Sequence, residues 1–322
     1  MRILSASEKK DTLHSELPSG LRRFNALRPG INVLYSLVFI LLSVLCVVPV
    51  IFVIIISFTS QSSIARVGYS FAPAEWSAAA YRYIWHLRDF NGFPTVLRSM
   101  LNSLGITIVG TILGLMLISS MGYVLSRPFF RLKKFYTVFV FIPMIFNGGL
   151  LATYVVNAQL LHLKNSYFAI ILPLACSTFY IMIMATFFRI SIPEGIVESG
   201  KIDGAGQLRI FLQLVLPISL PSLATVALFL SFGYWNDWYQ ASLYLESHRH
   251  ELFPLQYVLI NIEKNIQFLA NSDMVASTQS GELPTETMRM AIVVITVVPI
   301  MFSYPFFQRY FVSGLTVGAI KG

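Results

Sequence analysis

The sequence predicts an all-α, polytopic membrane protein with six transmembrane helices. Two observations carry that prediction. Of the 322 residues, 56% are hydrophobic and only 12% are charged, about half the charge of a soluble domain. The apolar residues are also gathered into six runs, each near the roughly 20 residues that a helix needs to cross a bilayer.

The runs cover Ile31–Ser57, Asn102–Leu125, Phe135–Leu160, Ser166–Phe188, Val215–Trp235 and Met290–Tyr310. Residues 1–30 are polar and lack the apolar core of a secretory signal, so the first run is expected to stay as an anchor behind a cytoplasmic tail. Residues 31–322 then form one transmembrane domain. Pro49, Pro143, Pro173 and Pro299 lie inside four runs. Membrane helices tolerate proline where neighbours satisfy the freed carbonyl, so kinked, bundled spans are expected.

The net charge of +8 does not indicate a nucleic-acid partner, because the basic residues sit in short clusters beside apolar runs. Arg2, Lys9, Lys10, Arg22, Arg23 and Arg28 precede the first run; Arg127, Arg131, Lys133 and Lys134 lie between the second and third. The positive-inside rule puts both on the cytoplasmic side, and six crossings return the C-terminus there. The long connections, Phe58–Thr95 and Glu246–Met288, then face outward with enough chain to meet something outside. Cys46 and Cys176 both lie in apolar runs and are expected to be small buried hydrophobes, not a disulfide.

No Asp, Glu, Lys, Arg or His occupies a run interior. A proton- or ion-coupled secondary sugar transporter usually keeps such groups at membrane depth, and often shows repeated halves; neither is found, although sodium coupling through carbonyls needs no charge. A membrane enzyme would need convergent polar or metal-binding residues. His162, His248 and His250 fall in connections without a ligand set. The sequence also lacks the G-x-x-x-x-G-K-[ST] phosphate loop; its nearest string, "GAGQLRIF", has no lysine.

One polar stretch stands between the fourth and fifth runs, a hairpin over about residues 191–213: "SIPEGIVESGKIDGAGQLRIFLQLVLPISLP". Ser191 and Glu194 have capping-box spacing, with Pro193 in the first turn. A short helix should run toward Asp203 and break at Gly204-Ala205-Gly206, where glycine admits a left-handed turn. A second helix starts near Gln207 and is bent by Pro217 and Pro221. Ser199, Gly200, Gly204 and Ala205 are small enough to let a partner approach the backbone, and Glu198 and Asp203 can meet its basic groups. The competing reading, a helix resting on lipid, favours Lys/Arg on the polar face. Here Glu194, Glu198 and Asp203 outnumber Lys201, so docking of a partner protein is preferred.

The hairpin resembles the cytoplasmic signature loop of ATP-binding-cassette importer permeases: Glu-Ala-Ala, three residues, Gly, nine residues, an aliphatic, any residue, Leu-Pro. Here Glu198-Ser199-Gly200, Gly204, Leu214 and Leu216-Pro217 occupy that pattern, departing at Ser199, Gly200 and Leu214. Further stretches resembling the second permease of maltose-type importers, and more closely the pectin- and alginate-oligosaccharide type, are "FNGGLLATY" (146–154), "LFPLQYVL" (252–259) and "FQRYFVSGLTVGAIKG" (307–322). Ala152 departs where the family often has proline, which puts a kink in span three in doubt.

The resemblance implies a type I ABC importer transmembrane domain in the bacterial cytoplasmic (inner) membrane, with both termini cytoplasmic. Implied partners are a second, different permease subunit, two ATPase subunits that bind ATP and Mg, an extracytoplasmic solute-binding protein, and an oligosaccharide. No cofactor or catalytic residue is expected in this chain. The coupling helix implied for docking comprises Glu198, Ser199, Gly200, Asp203, Gly204 and Ala205, followed by Leu216 and Pro217. The tail, with Gly314, Gly318, Lys321 and Gly322, is implied to reach the ATPase subunits.

Candidate sugar contacts are densest in "GYWNDWYQ", Gly233–Gln240. Trp235, Trp238 and Tyr239 share a face by helical spacing, with Asn236 and Asp237 adding polarity. An interfacial aromatic belt explains them equally well. Asn147 with Gly148-Gly149 either lines the path or permits close packing, and Tyr180 is a weaker candidate.

Overall fold

The computed structural model describes residues 29–89, 92–271 and 285–319. Contact clustering divides the chain into two units, residues 1–55 and 56–322. The described part of the first is essentially one helix, α1 (Pro29–Ser57), apolar around its whole circumference. A helix of that kind needs lipid or protein on every side.

The second unit is mainly helical among its described residues. Short helices α2 (Gln61–Val67) and α3 (Ala79–His86) lead into α4 (Thr95–Ser126), the central element. Then come α5 (Lys133–Ile145) and α6 (Gly149–Leu160), α7 (Tyr167–Ala175) and α8 (Thr178–Ser191), α9 (Glu194–Ile202), and α10 (Gln207–Ile218) with α11 (Leu220–Asn236). Helices α12 (Tyr239–Tyr244), α13 (Leu255–Asn271) and α14 (Thr285–Ala319) complete it. Three helices are long and apolar enough to cross a membrane, and the described residues give six crossings when each bent pair counts as one.

Helix α4 is central because of a repeat of four. Ile106, Gly110, Gly114, Ile118 and Gly122 are buried on one face, where three- and four-residue spacings align. The glycines let neighbours close in, as small residues do inside membranes. A Cβ on Gly110 would lie 2.5 Å from the Tyr234 ring, and one on Gly122 would lie 2.9 Å from Met184 Cβ. The Tyr234 hydroxyl donates to the Ile171 carbonyl at 2.8 Å, joining α11 to α7.

Three crossings are broken for local reasons. Between α5 and α6 the chain turns by 119°. Gly149 takes φ +80°, and the Asn147 side-chain oxygen accepts its N–H at 2.9 Å, so the break needs no proline at Ala152. Between α7 and α8 the bend is 44°, and between α10 and α11 it is 83°. At the last of these, Ser219 is buried and turns its hydroxyl onto the Val215 carbonyl. Pro221 follows, with no N–H to continue the ladder.

The connections gather at two ends. At one, the α4–α5 and α8–α9–α10 connections meet. At the other, Asn102 donates to the carbonyls of Glu251 and Phe253 and accepts from the Tyr167 hydroxyl. There Lys164 also pairs with Glu246 and holds its carboxyl below the usual carboxylate range. The long Glu246–Met288 connection is not an open loop. It contains α13, whose Leu255, Val258, Leu259 and Ile266 are buried, while Asp273 and Glu282 lie outside the described residues. Cys46 and Cys176 are free but exposed, contrary to the burial expected from their apolar settings: Cys46 lies on an exposed stretch of α1, and Cys176 lies in the break between α7 and α8.

Candidate partner-docking hairpin

Helix α9 is held against the body by Val197 and Gly200, with Ile196 half-buried, and turns its remaining residues outward. Val197 and Gly200 are buried; Glu194, Glu198, Ser199, Lys201, Ile202 and Asp203 are exposed. Glu194 in the first turn and Lys201 in the last complement the helix dipole. The expected capping box is absent. Ser191 is still the last residue of α8, and Pro193 takes the N-cap position in an extended conformation with no side-chain bond.

The end of α9 is fully capped. Asp203 is the C-cap, Gly204 takes φ +78°, and two reversed bonds close the motif: Gly204 N–H to Lys201 O at 3.0 Å and Ala205 N–H to Gly200 O at 2.9 Å. That is the Schellman pattern, in which the left-handed position suits glycine and the following residue packs back. Ala205 does so, half-buried against the core.

This geometry corrects the role expected for Gly200. Its missing side chain opens no backbone to a partner; it lets α9 close on α10. A Cβ there would lie 3.1 Å from Ile210 and 3.2 Å from Leu214. The outward surface is instead made by Glu194, Glu198, Ser199, Asp203 and Gly204, flanked by Ile202 (86% exposed) and Leu208 (70%). None of these carboxylates forms an ion pair among the described residues. Beside them lies a cavity of ≈ 350 Å³ lined by Arg127, Phe129, Phe130, Glu194, Glu198 and Lys201, among others.

The hairpin is wired into the helices behind it, a connection that sequence reasoning missed. The Tyr123 hydroxyl of α4 donates to Gln207 Oε1 at 3.3 Å; its ring lies 5.0 Å from Phe211 and 6.1 Å from Phe188. Arg127 caps that ring at 5.0 Å and donates to the Phe188 carbonyl. Leu216 packs on the core while Pro217 is exposed at the bend.

The aromatic stretch near the other end does not act as one face. Helix α11 ends at Asn236, and Asp237 is extended, so the four-residue periodicity stops there. Trp235 is 5% exposed, and its indole N–H donates to the Thr296 carbonyl of α14 at 3.1 Å. It is a core residue between two helices, neither belt nor open sugar contact. Trp238 and Tyr239 are exposed and edge-on at 6.1 Å, with Lys264 6.0 Å from the Trp238 ring. Asn236 donates to Phe232 O and accepts from Gln256. Tyr180 stacks on Phe229 at 6.2 Å, partly buried, whereas Asn147 is exposed in the α5–α6 break. The backbone of Gly314 and Gly318 continues α14; Lys321 and Gly322 lie outside the described residues.

A family model described as "Binding-protein-dependent transport system inner membrane component" matches residues 120–317. The polygalacturonan/rhamnogalacturonan transport system permease protein YtcP of Bacillus subtilis (strain 168) is 34% identical over 304 residues, covering 94% of this chain and 99% of its own. LplC of the same organism is 34% identical over 280 residues, 86% of this chain and 90% of that one. The trehalose/maltose transport system permease protein MalG of Thermococcus litoralis is 27% identical over 291 residues, covering 88% and 94%. Among solved structures, that of a bacterial ABC transporter involved in the import of the acidic polysaccharide alginate shares the fold. Its TM-score is 0.73 at 24% identity, covering 97% of this chain and 100% of that one. The broken spans, the capped hairpin and these matches agree: the chain belongs to the family of inner membrane components of binding-protein-dependent transport systems.

Proposed function

We propose that the chain is one of two different permease subunits of an ATP-driven importer for oligosaccharides, with uronate-containing chains as the favoured cargo. The hairpin carries the reading. The capped hairpin presents carboxylates that form no ion pair among the described residues, with exposed Ile202 and Leu208 beside them, while Tyr123 ties its second arm to α4 through Gln207. Such an element suits an ATPase subunit that binds ATP and Mg itself and passes motion through α9. The cargo assignment is supported by the printed name of the polygalacturonan/rhamnogalacturonan relative.

In this reading the hairpin and both termini are cytoplasmic, in agreement with the basic residues at 127–134. The opposite end receives sugar from an extracytoplasmic binding protein. Trp238, Tyr239 and Asn236 are the aromatic and polar groups there that a sugar can reach, and Asn147 and Tyr180 stand deeper. The tail at Gly314, Gly318, Lys321 and Gly322 touches the ATPase subunits. The chain itself catalyses nothing.

The test is reconstitution of the chain with its co-purifying subunits in sealed vesicles. Uptake of an oligogalacturonide that requires both binding protein and ATP supports the reading. Uptake driven by an ion gradient without ATPase subunits overturns it, and preference for a neutral oligosaccharide overturns the cargo assignment alone.

A further inference from the structure

The α4–α5 connection stands beside α9, and the ≈ 350 Å³ cavity next to the hairpin is lined from both. The connection supplies Pro128, Phe129 and Phe130; the helix supplies Glu194, Glu198 and Lys201. The two elements also touch, with Lys201 Nζ 6.0 Å from the centre of the Phe129 ring. Phe129 nevertheless remains 76% exposed.

The connection is firmly held. Pro128 fixes one backbone angle. The Arg127 N–H donates to the Val124 carbonyl at 3.3 Å, and the Lys133 N–H donates to the Phe130 carbonyl at 3.1 Å. The Arg127 guanidinium donates to Ser126 Oγ at 3.0 Å and to the Phe188 carbonyl of α8 at 3.3 Å. On the other side of Phe129, the Phe130 ring lies 5.7 Å from Tyr136. With both neighbours anchored, Phe129 meets a partner already ordered, which reduces the entropic cost of binding.

The surroundings select the kind of partner. Exposed Ile202 and Leu208 directly follow the lining residues Lys201 and Gln207 in the chain, so large apolar groups gather about one charged cavity. Exposed apolar groups clustered with polar ones mark a contact surface. Lipid is a poor occupant, because an acyl chain there would lie against Arg127, Glu194, Glu198 and Lys201 and take their water away. A folded protein can bring an apolar side chain to the rings and polar groups to the charges at the same time.

We infer that the α4–α5 connection is a second docking element, and that the ATPase subunit seats an apolar side chain in this cavity against Phe129 and Val197. This rests on the reading that α9 meets an ATPase subunit, and it adds a separate point of attachment. A partner held by one short helix is free to rock about it. A contact on a different element fixes the angle, and Phe129 gives the partner a direct hold on α4 and α5.

The test uses the chain assembled with its co-purifying subunits in nanodiscs, with Phe129→benzoylphenylalanine in one preparation and Ile202→benzoylphenylalanine in another. On illumination, both are expected to yield the chain joined to an ATPase subunit, identified by mass spectrometry. Phe129→Asp is expected to lower the ATPase subunit retained per chain through a salt wash about tenfold, and Phe129→Leu to keep it. A product from position 202 with none from 129 overturns the inference and leaves the hairpin reading intact. Absence of both products overturns the hairpin reading as well. Capture of lipid or of the second permease subunit at position 129 overturns the inference, as does full retention of the ATPase subunit by Phe129→Asp. The cross-link is read at an exposed position and does not depend on the folding of the aspartate variant.

Discussion

The Tyr123 hydroxyl donates to the Gln207 side-chain oxygen at 3.3 Å, across 84 positions of sequence, and joins the central helix to the second arm of the hairpin. Tyr123→Phe keeps the ring between Phe188 and Phe211 and removes only that bond. It should cost about 0.5–1.5 kcal/mol, a small shift in thermal unfolding, yet lower the uptake obtained per ATP hydrolysed. Measuring both in one reconstituted preparation checks it, and an unchanged ratio would show that the bond is only structural.

Gly204→Ala and Gly204→Pro separate two roles of the turn. Alanine meets no neighbour but must hold φ +78°, at a cost of about 1–2 kcal/mol. Proline cannot adopt that angle and loses the N–H bonded to Lys201. The alanine variant should couple weakly and the proline variant hardly at all, with both still assembled in the membrane. Glu198→Lys should resemble the proline variant while leaving the fold intact, since Glu198 is exposed. Full ATP-dependent uptake by Gly204→Pro and Glu198→Lys would refute docking through α9.

Trp235 and Trp238 should fail differently. Trp235→Ala opens a buried space and strips the Thr296 carbonyl of its donor, which should cost about 3–5 kcal/mol and reduce the amount of folded protein. Trp238→Ala should leave the amount unchanged and lower uptake per molecule. Uptake normalised to purified transporter distinguishes them; a normal rate for Trp238→Ala would remove that residue from the sugar path.

Gly110 and Gly105 form an internal control on one helix. A methyl at Gly110 runs into the Tyr234 ring, whereas one at Gly105 meets nothing within 4 Å. Gly110→Ala should destabilise by about 1–3 kcal/mol through overpacking. Gly105→Ala should be neutral or gain up to about 1 kcal/mol of helix propensity. Thermal unfolding of the two variants in the same detergent decides.

Asp237, in the connection after α11, carries a pH signature. Burial pushes its carboxyl from an ordinary 3.8 up to about 6, with partial relief from the N–H groups of Gln240 and Tyr239. The folded form therefore binds the proton more tightly than the unfolded one, and stability falls as pH rises from about 4 to about 6. Asp237→Asn should stabilise by about 1–3 kcal/mol at neutral pH, with the gain vanishing below about pH 4. A gain that does not change with pH would contradict the assignment.

What the sequence disclosed and what it hid follow one physical line. Hydropathy places the apolar runs without tertiary information, and Gly204, Pro217 and Pro221 announce the turn and bend through backbone constraints that hold in any context. Which way a side chain faces depends on where a helix stops. The spacing of Trp235, Trp238 and Tyr239 suggests one face only if the helix continues, and Asp237 ends it. Likewise Gly200 is equally small facing a partner or facing Ile210, and only packing decides. Helix α13 was legible after all: Leu255, Val258, Leu259, Ile262 and Ile266 carry the three- and four-residue period, obscured by the acids around it.

The elbow at Ser219 has a mechanical consequence. Helix α10 and span α11 meet at 83°, so α10 forms a crossbar about 18 Å long set nearly square to the column it supports. A load directed along the crossbar has almost no component along the column's axis; it can swing the column but hardly slide it. A docked motor that pulls along the crossbar would therefore open and shut a passage by tilting its wall, and the depth of every group along α11 would stay nearly constant through the stroke.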